Sequence, residues 1–269
     1  MNLNTVSAVC FSPTRTTRKV ITAVCRGIGI SHRLEDLTFA DSDLVKTGRV
    51  QADLAVVGVP VYSGRIPLKA KERLQAVRAD NVPAVAVVVY GNRDYDDALI
   101  ELADTLRACG FRPFSGAAFI GEHSFSSDRT LIADGRPDAT DLGKSHSFGE
   151  QIRALLDTVD RIEDIPEIAV PGNRPYKEKK PMPPVSPVTK KELCVLCGRC
   201  VSVCPTTAIK ISSASVETGT ENCICCAACV KACPHGARIF DHPRILSAAE
   251  KLSRNCSRRR EPEIFPPSC

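Results

Sequence analysis

The chain has 269 residues, 43% of them hydrophobic, and a formal net charge of +5. That apolar share is enough for a sizeable core and excludes a disordered chain. The longest purely apolar run, Ala84 to Tyr90, is too short for a membrane-spanning helix, which needs about 20 residues. Basic residues are spread along the chain, with one tight run at Arg258–Arg260, so the charge gives little support to nucleic-acid binding.

The first part of the chain alternates strand-like and helix-like segments. Thr5–Phe11 reads as a strand that ends at a Ser/Thr-rich turn, and Thr16–Cys25 as a helix. Asp53–Val59 and Pro83–Tyr90 are nearly all apolar and rich in valine, the pattern of parallel strands buried on both faces. Asp94–Cys109 carries Leu99, Leu102, Ala103 and Leu106 at helical spacing, with Gly110 as the stop. Gly116–Gly121 reads as another strand and Phe148–Val159 as a closing helix. The order predicts an α/β doubly wound parallel sheet over residues 1–164. Seven prolines between Pro166 and Pro187 then exclude regular helix or central strand. They mark residues 165–188 as an extended linker.

Beyond the linker the cysteines dominate. Nine of the 14 cysteines fall between Cys194 and Cys233. The segment CVLCGRCVSVCP (194–205) returns as CICCAACVKACP (223–234), an internal duplication whose unit is the cysteine motif itself. Each copy reads C-x2-C-x2-C-x3-C-P, the run that holds iron–sulfur clusters, whose fourth cysteine ligates the other cluster in two-cluster ferredoxins. The expected ligand sets are therefore crossed: Cys194, Cys197, Cys200 and Cys233 for one [4Fe–4S] cluster, and Cys223, Cys226, Cys229 and Cys204 for the other. Structural zinc fits eight cysteines in two such runs poorly. Two oxidised clusters would bring −8 from thiolates and +4 from their cores, so the net charge becomes +1. Residues 189–242 form this small α+β domain. Residues 243–269 form a tail in which Ile245, Leu246, Ala249 and Leu252 suggest a short amphipathic helix. Cys225 reads as a spectator beside Cys226, with a swapped ligand as the alternative, and Cys10, Cys25 and Cys109 as packing residues. Cys256 and Cys269 fall in the tail without an assigned role.

Three loops follow the apolar strands, at the sheet edge where open α/β sheets bind ligands. The first contains Ser12, Thr14, Arg15, Thr16 and Thr17 and opens a helix, a ready anion site. The second is Pro60, Val61, Tyr62, Ser63, Gly64 and Arg65. The third contains Gly91, Asn92, Arg93 and Tyr95. Each of the last two offers a glycine for close approach and a tyrosine that can stack on a planar ring. No G-x-G-x-x-G follows a strand and no Walker loop occurs.

On these motifs the first part of the chain, before the linker, resembles a flavodoxin. Ser12–Thr17 matches its phosphate loop, with Arg15 where glycine is usual. That departure leaves two readings: an unusual backbone conformation at Arg15, or a charge given to the phosphate. The whole chain resembles the flavodoxin–ferredoxin fusion proteins, on PVYSGR, YGNRDYDD, GEHSF, the proline linker, the duplicated cysteine motif and RRREPEIF. The resemblance implies a sheet of order 2-1-3-4-5, FMN, and two [4Fe–4S] clusters. It leaves Tyr62 and Tyr95 to face the flavin ring, since the chain has no tryptophan.

The expected role is electron transfer between FMN and the clusters, and on to or from a redox partner protein. The alternative is a flavin-dependent reductase of a small molecule, fed by the clusters and roofed by the Ser124–Asp138 loop. A redox sensor would need an output domain, and none is recognisable. Met1–Thr5 lacks the basic start of a signal peptide, which leads to an expected cytoplasmic location. His123 and His146 read as structural or surface residues, with a place near the flavin as the alternative.

Overall fold

The computed structural model describes residues 3–179 and 184–267; part of the proline linker and Cys269 lie outside the described residues. Five strands and five helices alternate first: β1 (Val6–Cys10), α1 (Thr16–Ile28), β2 (His32–Asp36), α2 (Asp43–Thr47), β3 (Leu54–Pro60), α3 (Leu68–Gln75), β4 (Val82–Tyr90), α4 (Ala98–Ala108), β5 (Phe111–Ile120) and α5 (Ala139–Asp157). The five strands are parallel in the order 2-1-3-4-5, the flavodoxin-like doubly wound arrangement. β4 is buried at every residue, because its valines and alanines face helices on both sides. One face packs Val57, Val59, Ala86 and Val88 against Leu74, Leu99 and Leu102 of α3 and α4. The other packs Val56, Val85 and Val87 against Val20, Ile21 and Val24 of α1 and Phe148 and Ile152 of α5.

α1 and α5 approach closely through glycines. A Cβ on Gly27 would lie 1.9 Å from the carbonyl oxygen of His146, and one on Gly149 would lie 2.0 Å from that of Val24. α5 starts at Ala139, well before the expected Phe148. Asp138 accepts from the Asp141 amide, while Asp141 returns a bond to the Asp138 amide, a capping box that starts the helix within a polar stretch. β5 starts at Phe111, ahead of the expected Gly116. α4 starts at Ala98 rather than Asp94, because residues 94–97 form the turn that carries the third loop.

The second region contains β6 (Val188–Thr189), α6 (Arg199–Ser202), β7 (Ile209–Ile211), β8 (Val216–Thr218), α7 (Ala228–Lys231), β9 (Arg238–Ile239), α8 (Pro243–Asn255) and β10 (Glu263–Phe265). β6 pairs with β9 and β7 with β8, both antiparallel. The sequence repeat is also a structural repeat. α6 and α7 occupy equivalent places in the two copies, as do the 3-10 turns Lys191–Leu193 and Thr220–Asn222. Left-handed backbone recurs at Leu196 and Cys225, at Gly198 and Ala227, and at Thr207 and Gly236. Such left-handed steps curl the chain into a concave nest of amide groups, the shape that iron–sulfur sites use.

The tail is more than the expected helix. After α8 it returns to the first domain, where β10 pairs antiparallel with β5 and becomes a sixth, edge strand. Asn92 Nδ2 donates to the carbonyls of Cys256 and Arg258, and Ser115 Oγ donates to that of Phe265. Arg136, in a buried ion pair with Asp141, donates to the Arg260 carbonyl. The tail thus straps the second region to the first.

Candidate functional site

A cavity of about 570 Å³ opens at the C-terminal ends of β1, β3, β4 and β5. That volume is typical of a small-molecule site, and the position is where open α/β sheets hold ligands. Thr14 and Thr16 line it from the first loop, Pro60, Val61, Tyr62 and Ser63 from the second, and Gly91 from the third.

Arg15 sits at the N-cap of α1 with φ of 66°, in the left-handed region that glycine favours. The backbone conformation is therefore retained despite the change of residue, and the Arg15 side chain is exposed. The Ser12 amide donates to Thr38 Oγ1, and Ser12 Oγ accepts from the Arg18 amide, so Ser12 braces the loop. Thr17 is fully buried, and its hydroxyl has no partner among the described residues. Thr17 does not line the cavity; Thr14, Thr16 and the open amides at the start of α1 form the donor set there, which suits a phosphate.

The second loop is a tight turn. Tyr62 and Arg65 exchange backbone hydrogen bonds, and the central Ser63 and Gly64 both have positive φ, as a type I′ turn requires. Gly64 closes the turn, while Arg65 leaves the cavity. Its guanidinium pairs with buried Glu101, donates to the Lys177 carbonyl and stacks on Tyr176 at 4.5 Å. The third loop departs further from expectation. Asn92 holds the tail, Arg93 pairs with Asp96, and Tyr95 is buried with its hydroxyl donating to Glu263 at 2.8 Å. Tyr95 therefore does not line the cavity; Tyr90, at the end of β4, does.

Residues 121–125 complete this side. His123 Nδ1 accepts from the Phe125 amide at 3.0 Å. Burial, with help from Arg93 and Lys231, pushes its pKa down to about 4, so the ring is neutral near pH 7. Its ring meets Phe125 edge-on, and Phe125 meets Phe240 of the second region at 5.4 Å.

The opposite wall comes from the second region. Thr220, Glu221, Cys223, Ile224 and Cys225 line the same cavity, together with Lys179 and Val185 of the linker. Ile224 also packs against the core of the first domain. Cys225 donates to the Val185 carbonyl at 3.1 Å. The Tyr62 hydroxyl has Ser124 as a hydrogen-bond partner and the thiols of Cys226, Cys225 and Cys223 as neighbours; burial and then these sulfurs raise its pKa well above the usual phenol range. Lys231 pairs with Glu122 and donates to the Ser126 carbonyl, and Arg73 donates to the Pro205 carbonyl. None of these cross-domain contacts carries a motif, which is why the sequence does not announce them.

Two further cavities are small and rich in cysteine. One is lined by Cys204, Cys223, Cys226 and Cys229, the other by Cys194, Cys197, Cys200 and Cys233. Among the described residues no three His, Cys, Asp or Glu side chains close on one point, as a single-ion site requires. The thiols instead line the walls of the two cavities. The two fourth cysteines are treated alike: Cys204 Sγ accepts from the Ala208 amide and Cys233 Sγ from the Ala237 amide, both at 3.3 Å. Amides that donate to sulfur fit a cluster ligand. Cys10, Cys25 and Cys109 are buried in the first domain.

Residues 186–234 match the family model of the 4Fe-4S dicluster domain. No curated protein matches the chain in sequence. Among solved structures, an archaeal flavodoxin is 17% identical with a TM-score of 0.42, covering 57% of this chain and 99% of its own. The flavodiiron core of Synechocystis sp. PCC6803 is 15% identical with a TM-score of 0.45, covering 59% of this chain and 37% of that one. Flavodoxin 2 of Bacillus cereus is 12% identical with a TM-score of 0.42, covering 57% and 99%. The fold itself rests on the observed strand order. No helix among the described residues is long and apolar enough to cross a membrane. A flavodoxin-like sheet followed by a 4Fe-4S dicluster domain supports a redox role, and the chain fits a flavodoxin–ferredoxin fusion.

Proposed function

We propose that the chain is a cytoplasmic electron-transfer protein that holds FMN in the large cavity and two [4Fe–4S] clusters in the two cysteine cavities. The observation that carries this reading is the shared wall. Residues 223–225, at the start of the second cysteine run, line the cavity built by the flavodoxin-like loops. FMN exchanges two electrons and each cluster one, so the pair joins two-electron to one-electron chemistry.

The chain's own residues serve this exchange by position. Thr14 and Thr16 with the first amides of α1 hold the phosphate end, and Ser12, Arg15 and the buried Thr17 keep that loop in shape. Pro60 to Ser63, Tyr90, Gly91 and the neutral His123 enclose the ring, with Cys223 and Cys225 on the facing wall. Gly64, Arg65, Asn92, Arg93 and Tyr95 act one layer back, fixing the turns, the linker and the tail. The ligation is crossed: Cys204 with Cys223, Cys226 and Cys229, and Cys233 with Cys194, Cys197 and Cys200. It is supported by the membership of the two cavities. The set that contains Cys197 faces outward, with that cysteine exposed, and suits exchange with a redox partner protein. A small-molecule reductase is the second reading: Ser124 and Phe125, at the start of the Ser124–Asp138 loop, line the cavity, but the cluster-binding region forms the facing wall, which favours electron transfer.

Anaerobic purification with iron, sulfide and flavin analysis tests the assignment. About eight irons and one FMN per chain are expected. Bound zinc without acid-labile sulfide, or a flavin-free chain that does not take up FMN, would overturn it.

A further inference from the structure

Arg238 breaks the repeat. It stands at the position equivalent to Ile209, its apolar counterpart in the first copy, and both begin short strands of the second region. An arginine there is unexpected, because the position is buried: Arg238 is 2% exposed.

Its contacts are all neutral. Nη1 donates to Thr189 Oγ1 at 2.5 Å, and Nη2 donates to Thr218 Oγ1 at 2.5 Å and to the Pro187 carbonyl at 2.9 Å. No carboxylate among the described residues pairs with it. Its Nε is buried with no hydrogen-bond partner among the described residues. A buried guanidinium without a counter-ion costs several kcal/mol, so an anion is expected nearby.

The surroundings supply one on each side. Arg238 lines the cavity of Cys194, Cys197, Cys200 and Cys233. Its Nη2 also lies 4.0 Å from Cys229 Sγ, a member of the other set. One cation thus stands between the two sets of four cysteines.

We propose that Arg238 is the shared counter-charge of the two clusters and raises the reduction potential of both, a role that rests on the cluster assignment above. Each oxidised cluster with four thiolates carries −2, and one added electron makes it −3. A fixed positive charge favours the reduced form more than the oxidised one. Placed between two such groups, it also offsets their mutual repulsion when both are reduced. The chain can then hold one electron on each cluster, two in total, matching the two that a flavin takes.

The test is an anaerobic redox titration of the full chain, monitored by electron paramagnetic resonance, for the wild type, Arg238→Met and Arg238→Lys. Iron and sulfide are measured on each sample. Arg238→Met should move both cluster midpoints to more negative potential, by at least ten-fold in the one-electron equilibrium, which is about 59 mV. Arg238→Lys should recover part of that shift. If Arg238→Met fails to assemble clusters while Arg238→Lys assembles them, the charge requirement stands. Unmoved or more positive midpoints in a fully loaded Arg238→Met, or equal loss of clusters in both variants, would overturn the proposal. A wild type without iron and sulfide would instead overturn the cluster assignment.

Discussion

The two halves of the cysteine repeat share sequence and backbone, yet they occupy different environments. Val195 in the first half is 60% exposed, whereas its counterpart Ile224 packs on the core of the first domain and lines the large cavity. Leu196 and Cys225 share the same left-handed backbone, but only Cys225 lines the large cavity, where it donates to the Val185 carbonyl. Cys197 is exposed while its counterpart Cys226 is buried. A duplicated motif thus becomes two unequal sites: one copy seals an internal wall and the other faces solvent. The asymmetry comes from the neighbours rather than from the motif.

The largest expected effect comes from removing a crossed ligand. Cys204→Ala should remove the inward cluster, leaving about four irons of eight and the outward cluster's signal. Cys233→Ala should do the converse. Iron analysis with paramagnetic resonance distinguishes this from loss confined to the mutated repeat, which would break the crossed pairing. Next in size is unequal lability. Under a mild oxidant such as ferricyanide the outward cluster should bleach several-fold faster than the inward one, because Cys197 is exposed. Equal rates would remove the distinction between the halves.

A matched pair of substitutions probes the wall itself. Ile224→Ala should lower stability by roughly 1–2 kcal/mol, less than the about 2–5 kcal/mol of a fully buried isoleucine, and slow flavin–cluster transfer. Val195→Ala, at the equivalent exposed position, should stay within about 0.5 kcal/mol. Denaturant midpoints compare them directly.

A separate effect is a pH slope that originates at the large cavity. The folded state holds the His123 pKa at about 4, below the unfolded value near 6.5. The unfolded chain therefore binds more protons between these values, and stability should fall as pH drops from about 6.5 toward 4. His123→Asn, which can still accept from the Phe125 amide, should flatten that slope in thermal melts across the range.

Much of this architecture is legible in the residues. The valine-rich β3 and β4 carry their parallel, doubly buried character in composition, and the cysteine spacing carries the iron–sulfur reading by itself. Other parts depend on partners far away in the chain. β2, with the sequence HRLED, is a half-exposed edge strand with no apolar pattern. β10 has three residues and becomes a strand only by pairing with β5. Tyr95 has the composition of a flavin-facing loop residue, but Glu263, 168 positions later, engages its hydroxyl. The start of α5 had a readable signal in Asp138 and Asp141, masked by the glycine and serines that follow. The shared wall at 223–225 has no sequence signature, because docking between domains follows from shape and not from a local period.

The most direct test of the account is the rate of electron transfer between flavin and clusters, followed by stopped-flow absorbance in the anaerobic, fully loaded chain at several protein concentrations. A shared wall predicts a first-order rate that does not change with concentration. A rate that rises in proportion to concentration would mean that the flavin and clusters meet only between molecules, and would contradict the account.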